Sequence, residues 1–156
     1  MACTTFISQN LGAKQYGRAK KGAAFSILAA VFLAQLIGIC YYLFAPQLVG
    51  FFDKTPGVVA FGVQQARTVS LFYCLLAFSH SVAAVCRGAG KAFIPMLIML
   101  SVWCVIRILY IMLVMRYTGQ IQHIYMAYPI TWGISSVIYL LYYLFCDWVH
   151  GFDRKD

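Results

Sequence analysis

The chain has 156 residues, of which 63% are hydrophobic and 10% charged, against roughly a quarter charged in ordinary globular domains. A water-soluble domain of this length cannot hide that much apolar surface in one core, so the composition excludes a soluble globule and indicates an integral membrane protein. The net charge of +8 comes from twelve Lys+Arg against four acids, but the cations lie between apolar segments and not in one aromatic-laced patch, which excludes a nucleic-acid surface.

The chain opens with a short mixed segment, 1–8, followed by a glycine-punctuated basic stretch, 9–22, with Lys14, Arg18, Lys20 and Lys21 and no acid. Basic residues after a first apolar piece are not the order of a signal peptide; 9–22 reads as a cytoplasmic loop. The first apolar run, 23–44, carries no charge, and its one strong hydrogen-bonding group, Gln35, suits contact between helices. Pro46, Pro56 and Gly57 break up 46–67, which reads as a short helix lying at the outer interface. The second run, 68–86, holds nineteen uncharged residues and is followed by Gly88 and Gly90. The third, 93–115, contains Arg107, with Pro95 in its first turn, where a missing N–H costs little, and Gly119 after it. The fourth, 124–146, has Pro129 near its start, and 147–156 forms a tail. Each run reaches the roughly 20 residues that cross a bilayer as a helix. None alternates with period two, so the expected fold is all-α with four transmembrane helices.

Four crossings send alternate connections to opposite sides. One side receives Lys14, Arg18, Lys20, Lys21, Arg87, Lys91, Arg154 and Lys155; the other receives Lys54, Arg67 and Arg116. Basic residues collect in cytoplasmic loops, so the first set and the C-terminus are expected inside, with Trp148 beside Asp147 as an interfacial anchor.

At 3.6 residues per turn, Ser70, Tyr73, Ala77, His80, Ser81 and Ala84 share one face of the second span, and Tyr128, Thr131, Ser135, Tyr139 and Tyr142 share one face of the fourth. Such stripes either line a wet cavity, offering tyrosine faces to a cation, or serve close helix packing. His80 can carry a proton near neutral pH or pack, and Arg107 can snorkel outward or meet a buried partner. The segment Gly88 to Lys91, GAGK, lacks the spacing of a phosphate loop. The six cysteines form no metal-ligand cluster and behave as small hydrophobes. The acids Asp53, Asp147, Asp153 and Asp156 all lie in loops or at span ends, and no nucleophile, base and orienting group converge, so nothing indicates an enzyme.

Three sequence features in order resemble the MATE (multidrug and toxin extrusion) transporters. Gln9, Gly12 and Ala13 match a Q-x-x-G-A motif; Arg87, Gly88, Gly90 and Pro95 match an R-G-x-G-K segment with its following proline; Trp103 precedes Arg107 by four residues. The resemblance implies the C-terminal portion of a twelve-helix, two-lobed antiporter, with 1–8 the end of the eighth helix and the four spans helices nine to twelve. It further implies a bacterial cytoplasmic-membrane location and export of organic cations. Ser70, Tyr73, His80, Thr131, Ser135 and Tyr139 would line the cavity. No cofactor is implied, only a coupling ion, Na⁺ or H⁺. The run 68–86 has no acid where NorM-like members carry one, a departure from that pattern; a DinF-like arrangement, with its acids in the first lobe, would place the ion site outside this chain. The partners implied are the lipid bilayer and a missing N-terminal lobe or companion chain. The alternatives are a related lipid-linked oligosaccharide flippase, or a non-transporting or scaffolding remnant. The topology predicts that tags near Lys20 and Lys155 are unreachable from outside intact cells while a tag near Lys54 is reachable, a pattern checked by impermeant labelling.

Overall fold

The computed structural model describes residues 2–117 and 121–150. Gly119, Asp153, Arg154, Lys155 and Asp156, used in the sequence reading, lie outside them. The elements in order are α1 (Ala2–Gly12), α2 (Tyr16–Phe52), α3 (Pro56–Ser70), α4 (Tyr73–Gly88), α5 (Phe93–Met99), a π-helical run (Leu100–Ile106), α6 (Arg107–Tyr117), α7 (Ile121–Tyr125) and α8 (Ala127–Phe145). No strand occurs among the described residues.

Helix α4 is the hub, with α1, α2 and α8 packed around it. The buried core gathers there: Ile7 and Leu11 from α1, Ala19 and Ala23 from α2, Val82, Val85 and Cys86 from α4, and Tyr139 from α8. Large apolar side chains otherwise point outward. Phe25, Leu28 and Phe32 on α2 are exposed, as are Ile108, Met112 and Leu113 on α6. In water such a surface would be prohibitive; in hydrocarbon it costs nothing.

The basic stretch 9–22 is not the expected loop. Helix α1 runs to Gly12 and α2 begins at Tyr16, so the connection shrinks to 13–15, and Arg18, Lys20 and Lys21 sit on the opening turns of α2. The reason is that Arg and Lys are good helix formers, and leaving the lipid does not end a helix. Ala19 and Ala23, one turn apart, face the core while the cations face outward.

The span 23–44 is likewise longer than expected. Helix α2 has 37 residues, about 55 Å at 1.5 Å per residue against a hydrocarbon core of about 30 Å. Pro46 lies inside it and does not break it. The helix is held on both sides of that proline by α3 and the start of α4. Gly38 lets the Ser70 carbonyl reach the α2 backbone, and Val49 packs on Gly62, with a Cβ at Gly62 falling 2.8 Å from Val49 Cγ1. The short helix expected within 46–67 is α3, which runs on to Ser70 and packs back along α2. The second run becomes α4, which at 16 residues is long enough to cross only together with α3, to which it is joined through a 52° bend at Leu71 and Phe72. The third span, expected at 93–115, is continuous from Phe93 to Tyr117 with a π-helical centre. The fourth is α7 with α8.

The basic ends expected to share one side meet at one end of the bundle. Lys91 Nζ donates to the Asp147 carbonyl oxygen at 2.6 Å, and the Tyr16 and His150 rings lie 5.1 Å apart. At the other end the Arg67 guanidinium sits 5.4 Å over the Tyr42 ring. Trp148 is not an interfacial anchor. It is buried, stacked on Tyr143 at 5.4 Å, because the chain after α8 turns back onto the core. His150 Nδ1, 2.8 Å from Asp147 Oδ2, holds the Asp147 carboxyl below its usual range.

The contact at Gly38 gives a direct test. Because its absent side chain admits the Ser70 carbonyl, Gly38→Ala is expected to destabilise the bundle by about 1–3 kcal/mol, while Gly50→Ala on the same helix, with open space around it, leaves stability unchanged or slightly raised. Thermal unfolding of the two variants in detergent checks this.

Candidate functional site

The residues expected to line a cavity divide into two groups. Ser70, Ser135 and Tyr139 are fully buried between helices. Their hydroxyls are satisfied inside the protein: Ser70 Oγ donates to the Arg67 carbonyl at 3.2 Å, and Tyr139 OH donates to the Pro95 carbonyl at 2.8 Å. Ser135 Oγ lies 3.0 Å from Ser79 Oγ, which is also 3.0 Å from Ser136 Oγ. Ser79 and Ser136 both reach the Leu75 carbonyl at 3.0 Å. This three-serine knot closes the α4–α8 seam. Small hydroxylated residues let the backbones approach and then bond across the gap. Sequence reading missed Ser79 and Ser136, although the Ser135-Ser136 pair was the visible signal.

Tyr73, His80 and Thr131 belong to the second group, a band of aromatic rings and one guanidinium. It starts with Tyr41 stacked on Tyr73 at 6.4 Å and continues from Tyr73 to Trp132 at 6.1 Å and from Trp132 to Tyr128 at 6.0 Å. Arg107 then lies 4.7 Å over the Tyr128 ring and 5.6 Å over the Trp103 ring. His80 meets Trp103 edge-on at 5.1 Å. No sequence pattern joins Tyr41 and Trp132. They come from two helices with no shared periodicity, and only the packing of α2, α4 and α8 joins them.

Arg107 does not snorkel. Its Nη2 donates to Thr131 Oγ1 at 2.8 Å and its Nε reaches the same oxygen at 3.3 Å, while Thr131 Oγ1 itself lies 2.8 Å from the Ala127 carbonyl. The π-helical run just before Arg107 re-aims the side chains of this segment, as such runs often do at functional positions. Two aromatic faces and one hydroxyl hold the charge where no described acid is near. Trp103 Nε1 and Gln35 Oε1 are buried with no hydrogen-bond partner among the described residues, so Gln35 does not make the helix-bridging bond expected of it.

The motif residues Gln9, Gly12 and Ala13, and Arg87, Gly88 and Gly90, build two copies of one turn. After α1, Ala13 N–H bonds the Gln9 carbonyl, Lys14 N–H that of Leu11 and Gln15 N–H that of Asn10. After α4, Ala89 N–H bonds the Val85 carbonyl, Gly90 N–H that of Arg87 and Lys91 N–H that of Cys86. Both helices thus end in a Schellman motif with a left-handed residue after a Gly-Ala pair: Lys14 at φ 56° and Gly90 at φ 78°. Gly88 also admits α1, since a Cβ there would lie 2.7 Å from the Thr4 carbonyl. Pro95 is buried in the first turn of α5.

A bundle of long apolar helices with lipid-compatible flanks defines a multi-pass helical membrane protein. The MatE family model matches residues 1–113, from α1 into α6, and the chain belongs to that family of membrane transporters. No curated protein and no solved structure matches it. Both turn motifs, Trp103 and Arg107 lie inside the matched region; Thr131, Ser135 and Tyr139 lie beyond it.

The paired turns make opposite predictions. Gly90→Ala forces a Cβ into the left-handed region and is expected to cost about 1–2 kcal/mol, whereas Lys14→Gly relieves the same strain and stabilises by up to a similar amount. Unfolding midpoints of the two variants in detergent read both.

Proposed function

We propose that this chain forms the C-terminal part of a cation-coupled efflux antiporter, with α1 as the end of helix eight and the later spans as helices nine to twelve. It exports organic cations across a bacterial cytoplasmic membrane, its basic ends and C-terminus facing inside. The observation that supports this reading is the aromatic band around Arg107. The band already holds a planar cation against Tyr128 and Trp103, and the same faces suit an aromatic organic cation that displaces it.

Tyr73, His80 and Thr131 are the path residues contributed here, with Tyr128 and Trp103. Ser70, Ser135 and Tyr139 support the path from behind by fixing α4 and α8. No acid occurs in α2 through α6 apart from Asp53, at the end of α2, so the coupling carboxylate comes from the complementary lobe. The span Phe93–Tyr117 is buried over only 6% of its apolar window, which leaves a face for that lobe. Alternating access then arises from the two lobes rocking about the site. His80, exposed beside Trp103, is the titratable group on this side.

In a complete transporter carrying this half, ethidium efflux with Na⁺ and pH varied separately tests the reading. His80→Ala is expected to slow efflux and flatten its dependence over about pH 6 to 8; efflux unchanged across that range removes His80 from the mechanism.

A further inference from the structure

Arg87 has a second setting that the transport path does not use. It closes one end of a cleft of about 560 Å³ between α4 and the α5–π helix, whose walls are otherwise apolar: Met96, Met99, Leu100 and the ring of Trp103. On its other side Arg87 borders a smaller, more polar recess beside Thr4 and Thr5 of α1. The arginine is exposed, and no described acid is paired with it. The one nearby cation, Lys91, is committed to the Asp147 carbonyl and Cys146 Sγ.

The cleft's length identifies what it fits. From Ala92 to Trp103 the helix rises about 16 Å at 1.5 Å per residue, close to one leaflet of a hydrocarbon core about 30 Å thick. Its charged end lies beside Lys91, at the end of the bundle where the basic residues gather, which the distribution of charge assigns to headgroup level; its inner end reaches the Trp103 ring. One permanent cation with a forked set of donors, above a leaflet-deep apolar slot, is complementary to an anionic headgroup on an acyl chain.

We propose that this cleft binds one anionic phospholipid, its phosphate on Arg87 and an acyl chain lying along Met96, Met99 and Leu100 to the indole of Trp103. Arg87 thereby has a ligand-binding role in addition to closing the turn after α4. The cleft meets the aromatic band only at the Trp103 ring, while Arg87, Met96, Met99 and Leu100 belong to it alone, and the proposal holds whether or not the chain transports cations.

Native mass spectrometry of the full chain in detergent tests it, titrating phosphatidylglycerol against phosphatidylcholine with matched acyl chains. One phosphatidylglycerol is expected to be retained in preference, and Arg87→Gln is expected to lower its retention about tenfold while leaving phosphatidylcholine unchanged, the effect of one charge-assisted contact. Arg87→Lys, which keeps charge but not the fork, is expected to fall between. Should Arg87→Gln fail to fold, quenching in the unmodified chain decides. Phosphatidylglycerol brominated on its acyl chain is expected to quench tryptophan emission more than the brominated phosphatidylcholine, and Trp103→Phe is expected to abolish the difference. Equal retention of the two lipids, full retention by a folded Arg87→Gln, no difference in quenching, or displacement of the lipid by free glycerol phosphate overturns the proposal.

Discussion

Every backbone amide that crosses lipid must find its partner inside its own helix, because hydrocarbon offers none. That constraint makes each span a closed rod and removes the hydrophobic effect as the force between rods, since a leucine is as well solvated by acyl chains as by another helix. What remains is close approach and polar bonding. The bundle shows both at its centre. Gly38 and Gly88 let neighbouring backbones touch, and Ser79, Ser135 and Ser136 bond across the α4–α8 seam. Most of the large apolar side chains, by contrast, point outward.

The same logic explains the connections at the basic end. A helix leaving lipid still has its last carbonyls to satisfy. Here two helices solve that with the same three hydrogen bonds and a left-handed residue after Gly-Ala. The solution turns the chain within three residues after α1 and four after α4, so Arg18, Lys20 and Lys21 are placed on a helix end and not in a loop. Lys91, fixed by its turn, then ties α5 to the end of α8 through the Asp147 carbonyl.

Arg107 is the costliest group in the spans, and its treatment shapes the site. Thr131 gives it one acceptor, Tyr128 and Trp103 give it two π faces, and the π-helical run positions it between them. An arginine held by aromatic faces rather than by a carboxylate can be released without leaving a bare anion behind in lipid. The aromatic band and the cleft at Arg87 meet at one ring, that of Trp103.

The sequence by itself determined the class: the apolar runs, their lengths and the distribution of cations follow from composition, because hydropathy is a sum over local residues. It also marked Gly12, Gly88, Gly90, Trp103 and Arg107 as a pattern. It misjudged how far helices extend, placing a loop at 9–22 and a break at Pro46, because helix ends outside lipid are set by packing and not by hydropathy. It could not divide the polar stripes. Tyr139 and Ser135 share a face with Thr131, yet only the tertiary structure decided that two are consumed by Pro95 and Ser79 while the third holds Arg107. A stripe records which way a side chain points; what it meets depends on a second helix far away in sequence.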